Sequence, residues 1–288
     1  MTLNAQVARR LDEVAELLQE QGANLFRVQA YRRGADSVRR LQRPVSEILE
    51  QEGIDGLRNL PGVGDRLAVA IRDLVTTGRL PMLDRLRGET NPADLFETIP
   101  GIGPVQAARL HEELGLDSLE DLEAAAHDGR LADVAGLGRK RVTGIIDSLA
   151  TRLGRVRPPG PDAPDEATAE ELLDVDREYR ESAAAGKLSK IAPHRFNPKH
   201  EAWLPILHTR RGGRHYTALF SNTARAHRLG KTADWVILYY DGGASERQCT
   251  VITSQFGALK GMRIVRGREE ECARYYHAQV SRFEEVQV

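Results

Sequence analysis

The chain has 288 residues, 41% of them apolar and 29% charged, which is enough for about two domains with separate cores. A formal net charge of −1 gives no global attraction for nucleic acid, and no run of ~18 apolar residues offers a membrane span. The cysteines, Cys249 and Cys272, form no CxxC pair; this argues against a thiolate zinc site or a disulfide framework and suits a reduced, cytoplasmic setting.

The first segment, "MTLNAQVARRLDEVAELL", lacks the apolar centre and cleavage site of a secretory signal. It places Val7, Leu11, Val14, Leu17 and Leu18 on one helical face. Helical spacing continues to about Leu153, with helices predicted near Leu3–Gln21, Leu25–Leu41, Asp65–Thr77, Pro104–Leu114, Ser118–Ala126 and Arg139–Leu153. Gly78 ends one helix and Pro81 begins another, and Asp117-Ser118 before Glu120-Asp121 predicts a capped start with acid in its first turn. "GRVRPPGPDAPDEATAE", Gly154–Glu170, is rich in Pro, Gly and acid and reads as a solvated linker. A short helix follows in "EELLDVDREYRESAAAG". Then come the strand-like runs "HYTALFS", "DWVILYY", "CTVITS" and "MRIVR", a turn at Asp241–Ser245, and a final helix over Glu269–Gln279.

One short pattern occurs three times: "NLPGVGDRLAVAI" (Asn59–Ile71), "TIPGIGPVQAARL" (Thr98–Leu110) and, more loosely, "DVAGLGRKRVTGI" (Asp133–Ile145). Glycine permits positive φ and close backbone approach, and the helix that follows begins with unpaired N–H groups at its positive dipole end. Together these make a phosphate site that needs no lysine and reads no sequence. The first copy assigns this role to Gly62, Val63, Gly64 and the amides of Asp65 and Arg66. The second assigns it to Gly101, Ile102 and Gly103, with Val105 and Gln106 beyond Pro104. Gly136 and Gly138, with Arg139, Lys140 and Arg141 at the helix start, form either a third clamp or a packing copy. The middle residues Val63, Ile102 and Leu137 are expected to plug into their own cores. A single such turn is more often helix packing than a ligand site, and it is the repetition that favours a grip.

Six segments in order, "NLFRVQAYRRGADSVRRL", "LPGVGDRLAVAI", "TTGRLPMLDRLR", "IPGIGPVQAARL", "EELGLDSLEDLEAAAHDGRL" and "VAGLGRKRV", resemble the N-terminal region of bacterial family X DNA polymerases and, more distantly, DNA polymerase beta. The resemblance implies a helical lyase-like domain over 1–88 and a helix-hairpin-helix domain over 89–153, followed by the linker at 154–170 and an α+β domain over 171–288. The fold class expected is therefore α+β: an all-helical N-terminal half with tandem helix-hairpin-helix motifs, then a small, mostly antiparallel α+β domain. The resemblance also implies DNA as partner, with Tyr31, Arg32 and Arg33 assisting at the 5′ side and a monovalent cation, Na⁺ or K⁺, at the hairpin carbonyls; no other cofactor is expected.

The family's two chemistries find little equipment here. Ungapped alignment places Ala70 where the family's lyase has its Schiff-base Lys, and Arg66 where a phosphate-contacting Lys stands. Arg stays protonated and cannot be the amine, and up to Leu153 the chain has one lysine, Lys140. A polymerase palm needs clustered aspartates on a strand, whereas Asp174-Val175-Asp176 lies in a helical pattern that points the two carboxylates to different sides. That helix reads as a solvated face.

Residues 171–288 carry 19 Lys and Arg against 14 Asp and Glu. Arg210, Arg211, Arg214, Arg225, Arg228 and Lys231, interleaved with Tyr216, Phe220 and Trp235, are candidates for a second nucleic-acid surface, or else solvated cations over core aromatics. Ser221, Asn222 and Thr223 either cap the helix from Ala224 or belong to a nucleotide-contacting loop. The histidines show no metal-ligand spacing. The leading expectation is a structure-preferring, non-sequence-specific DNA-binding protein of repair or recombination, with a repair protein as further partner and no membrane. The alternative is a DNA-end or nucleotide-processing enzyme using Asn222, Thr223, His227, Lys231 and Asp234.

Overall fold

The computed structural model of the chain describes residues 2–155, 167–242 and 245–286. These group into two compact units, residues 1–90 with 188–209 and residues 91–187 with 210–288.

The first unit is built on helices α1 (Leu3–Glu20), α2 (Leu25–Arg39), α3 (Val45–Arg58), α4 (Asp65–Thr77) and α5 (Pro81–Arg87). Thr2 and Asn24 cap α1 and α2 through their side-chain oxygens, and Gly78 and Gly88 close α4 and α5 in the left-handed conformation. Of the periodic face of α1, Val7, Leu11, Val14 and Leu18 are buried and Leu17 is half-buried, and Gly34 of α2 lets Leu67 of α4 pack directly on the helix backbone. Helix α3 has no counterpart among the sequence predictions; Gly53, at φ 65°, breaks its period into two short pieces. Strand β1 (Ser189–Ile191) and most of β2 (Leu204–Arg211) belong to this unit, where His208 Nε2 lies 3.0 Å from Gln21 Oε1 and Gln21 Nε2 donates to the Leu86 carbonyl.

The second unit begins with α6 (Pro92–Glu97), α7 (Pro104–Glu112), α8 (Leu119–His127), a 3-10 turn (Arg130–Asp133) and α9 (Arg139–Arg152). They share one apolar core that includes Phe96, Ile102, Leu110, Leu122, Leu137, Ile145 and Leu149. Most of the predicted linker lies outside the described residues. Helix α10 (Ala169–Ala184) follows, then β3 (Arg214–Phe220), α11 (Ala224–Arg228), β4 (Val236–Gly242), β5 (Ser245–Thr253), β6 (Arg263–Val265) and α12 (Glu269–Val286). Strands β1 and β2 pair antiparallel, and β3, β4, β5 and β6 form an antiparallel meander in the second unit. The turn predicted at Asp241–Ser245 includes positions outside the described residues, and the register pairs Gly242 with Ser245 across it.

Runs of consecutive buried residues in β3 (Tyr216–Leu219) and β5 (Gln248–Val251) indicate a sheet covered on both faces. On one face Tyr216 stacks on Tyr240 and donates to Glu171 of α10, while the Tyr179 hydroxyl of α10 accepts the Phe220 amide at 2.8 Å. On the other, Thr250 donates to Glu120 of α8, and Arg155, just past α9, donates to the Arg266 carbonyl while pairing with Glu123. Asp117 accepts the Ala224 amide and Asp121 pairs with Arg225, so the helical segment 91–155 and strands β3–β6 form one packed body.

The solvated face expected for α10 is not found. Leu172, Leu173, Val175 and Tyr179 are buried, and Asp176 is wholly inaccessible, accepting from Arg180 (2.9 Å) and from both Nε and Nη2 of Arg263 (3.0 and 2.6 Å). Asp174 leaves the helix on another side toward Arg177 and Arg211, so the two carboxylates do not converge. Cys249 and Cys272 are free and buried, and burial pushes the Cys249 thiol up to about 12. Among the described residues no helix is long and apolar enough to cross a membrane.

Two stability outcomes follow from these buried charges. Asp176→Ala removes the buried carboxylate that Arg180 and Arg263 share and should lower unfolding free energy by about 3 kcal/mol in urea titrations, against under about 1 kcal/mol for Asp174→Ala. Burial pushes the Glu120 carboxyl above its ordinary range, against the opposing pull of Arg266, Thr250 and Arg155. Its folded pKa being raised, its contribution is greatest below the ordinary carboxylate range and is lost as pH rises through the folded value. Glu120→Gln should therefore gain stability relative to wild type as pH rises above the ordinary carboxylate range; a difference that stays constant with pH would contradict this assignment.

Candidate nucleic-acid interface

The three Gly-apolar-Gly turns share one backbone geometry. The first glycine of each is left-handed: φ is 75° at Gly62, 92° at Gly101 and 92° at Gly136. The next amide closes the same bond each time, Val63 to Leu60 (3.0 Å), Ile102 to Ile99 (3.1 Å) and Leu137 to Val134 (3.0 Å). Val63, Ile102 and Leu137 are all buried, as their apolar character predicts. The second glycine is the N-cap of α4, α7 or α9, in extended conformation, and provides no side-chain cap.

Helices α3 and α5, which follow Pro44 and Leu80, also lack a side-chain cap, whereas six other helices have one. Thr2, Asn24, Asn91, Ser118, Thr168 and Thr223 each accept a first-turn amide at the start of α1, α2, α6, α8, α10 and α11. At Gly64 and Gly138 the backbone lies in a region open to any residue, and an added Cβ would meet nothing within 4 Å. The fold would accept Ser or Asp at either position. Glycine instead leaves the first-turn amides and the positive dipole end uncovered at an exposed surface.

The predicted flanking residues divide. Arg33 borders the first hairpin: a Cβ on Gly62 would lie 3.2 Å from the Arg33 Cβ. Tyr31 turns inward, its hydroxyl 3.3 Å from the Met82 sulfur, and Arg32 donates to Gln19. Arg66 is exposed on the first turn of α4, and Asp65 pairs with Arg58 at 2.7 Å. Val105 is exposed, whereas the Gln106 side chain lies against Gly136, joining α7 to the third hairpin. Arg109 donates to the Ala135 carbonyl and Arg141 to the Gly136 carbonyl (2.7 Å); Arg139 and Lys140 are exposed beside them. The sequence pattern gives no hint of Leu25 and Phe26, 68% and 78% exposed at the start of α2, except that they precede its buried series Val28, Ala35 and Val38.

The second candidate surface is largely engaged with acid. Arg211 pairs with Asp174 and Glu178, Arg214 with Glu171, Arg225 with Asp121 and Lys231 with Asp234, while Arg210 donates to the Gly212 carbonyl and Arg228 is exposed. Thr223 is a helix cap, His227 Nε2 lies 2.6 Å from Asn222 Oδ1, and Asp234 accepts from Thr253 and Arg263. Trp235, expected in the core, is half-buried between Arg225 and Arg266. Among the described residues no three His, Cys, Asp or Glu side chains are placed to share a metal ion.

Two segments carry these turns as helix-hairpin-helix domains: residues 2–80 match a family model described as a helix-hairpin-helix domain, and residues 93–151 one described as a SAM-like helix-hairpin-helix tandem. The N-terminal half is homologous to family X DNA polymerases. It is 28% identical over 145 residues, half of this chain, to the DNA polymerase/3'-5' exonuclease PolX of Bacillus subtilis. It is also 33% identical over 106 residues to DNA polymerase lambda of Arabidopsis thaliana, and 26% identical over 146 residues to that of Rattus norvegicus. These matches cover 36% and 51% of this chain. They span only 24%, 18% and 24% of the three relatives.

The hairpin geometry separates strain from surface chemistry. Gly101→Ala forces a side chain into φ 92° and should cost about 1–2 kcal/mol in thermal or urea unfolding. Gly64→Ala, at an ordinary φ with open space around it, should shift stability by less than about 0.5 kcal/mol.

Proposed function

We propose that the chain is a DNA-binding protein of repair or recombination that holds the phosphate backbone of gapped, nicked or single-strand-containing DNA without reading sequence. The observation that carries this reading is three hairpins of one backbone geometry, each leading into a helix whose N-cap is glycine; at Gly64 and Gly138 the fold has room for a capping side chain and glycine stands instead. Each presents amide donors and a positive dipole end to one phosphate, and Arg33, Arg66, Arg139 and Lys140 add charge nearby.

The polymerase and exonuclease activities named for the relatives are not carried over, since the matches cover a quarter of those proteins or less. The usual lyase is not proposed either: Ala70, at the position resembling the family's Lys, is a buried residue of α4. A Na⁺ or K⁺ ion fits the second hairpin best, because Pro61 of the first already accepts from Ser37, and Ala135 and Gly136 of the third from arginines.

Fluorescence anisotropy on gapped and intact duplexes tests the reading. Three held phosphates should give a slope of about −3 in log affinity against log salt, with tighter binding to the gapped substrate. Gly64→Asp, which caps the amides with an anion, should leave the fold intact and weaken binding about tenfold. Undetectable binding at ~50 mM salt, or affinity indifferent to salt, overturns the phosphate grip. Borohydride trapping on an incised abasic substrate should leave no covalent adduct.

A further inference from the structure

The second unit carries a connection that the hairpin reading does not use. In the antiparallel meander, β3 ends, β4 begins, β5 ends and β6 begins at one end of the sheet. Two connections emerge there: α11 with its following turn, and the segment between Thr253 and Arg263. The second is not a loose excursion. The Ser254 amide donates to the Met262 carbonyl and the Gly261 amide to the Ser254 carbonyl, both at 2.9 Å, and the Ser254 hydroxyl donates to the Phe256 carbonyl at 3.0 Å. On this self-bonded loop the Phe256 ring is 84% exposed, with Met262 at the loop's end also exposed.

The two connections carry Arg225, Arg228, Lys231 and Lys260, and the acids beside them, Asp117, Asp121 and Asp234, are each engaged. From Ala218 to Arg268 the sequence has three acidic residues, Asp234, Asp241 and Glu246. Asp241 and Glu246 face each other beside the β4–β5 turn, at the opposite end of the sheet. Asp234 is engaged by Thr253, Arg263 and Lys231. Arg228 and Lys260 lie exposed on the two connections.

We infer that this end of the sheet is a contact for single-stranded DNA, in which Phe256 stacks on an unpaired base and Arg228 and Lys260 attract the adjoining phosphates. The loop's own hydrogen bonds hold the backbone that carries the ring, so little backbone freedom is lost on binding, and only an unpaired base offers the ring a free π-face. Apolar protein interfaces are depleted in lysine at their centre, so the interleaving of cations with a lone aromatic favours nucleic acid over a protein partner. Asp117 and Asp121 hold α11 to α8 through the Ala224 amide (2.8 Å) and Arg225 (3.1 Å), so α11 is fixed to the body that carries the second and third hairpins. A strand leaving those hairpins would then meet the second contact at high effective concentration. This inference rests on the proposed DNA grip and moves the second surface away from Arg211 and Arg214.

Anisotropy with the full chain, using labelled oligothymidine, a gapped duplex and an intact duplex, tests it with Phe256→Ala, Phe256→Trp and the double variant Arg228→Ala/Lys260→Ala. Phe256→Ala should weaken oligothymidine and gapped-duplex binding about tenfold and leave intact duplex unchanged, while Phe256→Trp retains affinity. The double variant should reduce the salt slope on oligothymidine by about 1.4. A melting temperature equal to wild type guards against misfolding. If wild type binds gapped DNA with the expected salt slope and Phe256→Ala binds every substrate as wild type does, this inference alone fails. Equal weakening on all three substrates overturns it too. If wild type binds none of the three, both this inference and the proposed function fall.

Discussion

An apolar side chain held between two glycines sets the rest of the N-terminal structure. Val63, Ile102 and Leu137 are buried, and to bury them the chain must reverse within one residue, which the left-handed glycine before each allows. Once that reversal is made, the next helix starts at the surface with its axis fixed by the buried residue behind it. The position of the bare amides is therefore a consequence of core packing. The hydrophobic term that stabilises the hairpin is the same one that presents its donors. It also explains why the three copies keep one hydrogen-bonded geometry despite different flanks: Pro precedes the turn in two of them and Ala135 in the third, and only the apolar-glycine core of the pattern is geometrically required.

Charge does different work in the second unit. Its acidic and basic side chains pair across elements distant in sequence: Asp176 with Arg263, Glu171 with Arg214, Glu123 with Arg155. Arginine is the cation in each, and its planar fork satisfies several acceptors at once, as Arg263 does with Asp176, Asp234 and the Val251 carbonyl. A buried carboxylate held in this way is tolerated because its partners are fixed by the sheet, and breaking one partner leaves the other stranded. The Asp-x-Asp of α10 thus locks helix to sheet, which is a different task from holding a metal.

Much of the helical half was legible because its signals are local. The bounds of α4 follow from Gly64 and Gly78, and the start of α9 from Gly138, all within a few residues of the helices they delimit. Helix α3 was not legible, since Gly53 and Gly56 interrupt its period and only packing against α4 selects it. Strand runs were visible as β-branched and aromatic clusters, and the helical nature of the Asp174–Asp176 segment came from its spacing. That segment's burial did not, because it depends on Arg263, 87 residues away. The pairing of Arg211 and Arg214 with α10 was hidden for the same reason: a basic run shows its own charge and not the carboxylates folded against it. The packing of α8 on β5 likewise joins Glu120 to Thr250 across 130 residues.

The helix after the first hairpin shows how a grip and a reaction make different demands on one element. Schiff-base chemistry needs an amine that reaches a sugar carbon and gives up its proton, and so a long side chain in a partly desolvated pocket. Helix α4 instead carries Ala70 in the core, and its neighbour Leu67 packs onto the bare backbone of Gly34 in α2. Gly34 lets Leu67 seat on α2, and Arg33 of α2 lies at the edge of Gly62. A lysine at position 70 would have to displace the core around Ala70 or bury its charge. Holding a phosphate requires only that bare amides and a nearby cation stay in place, and the first unit fixes both.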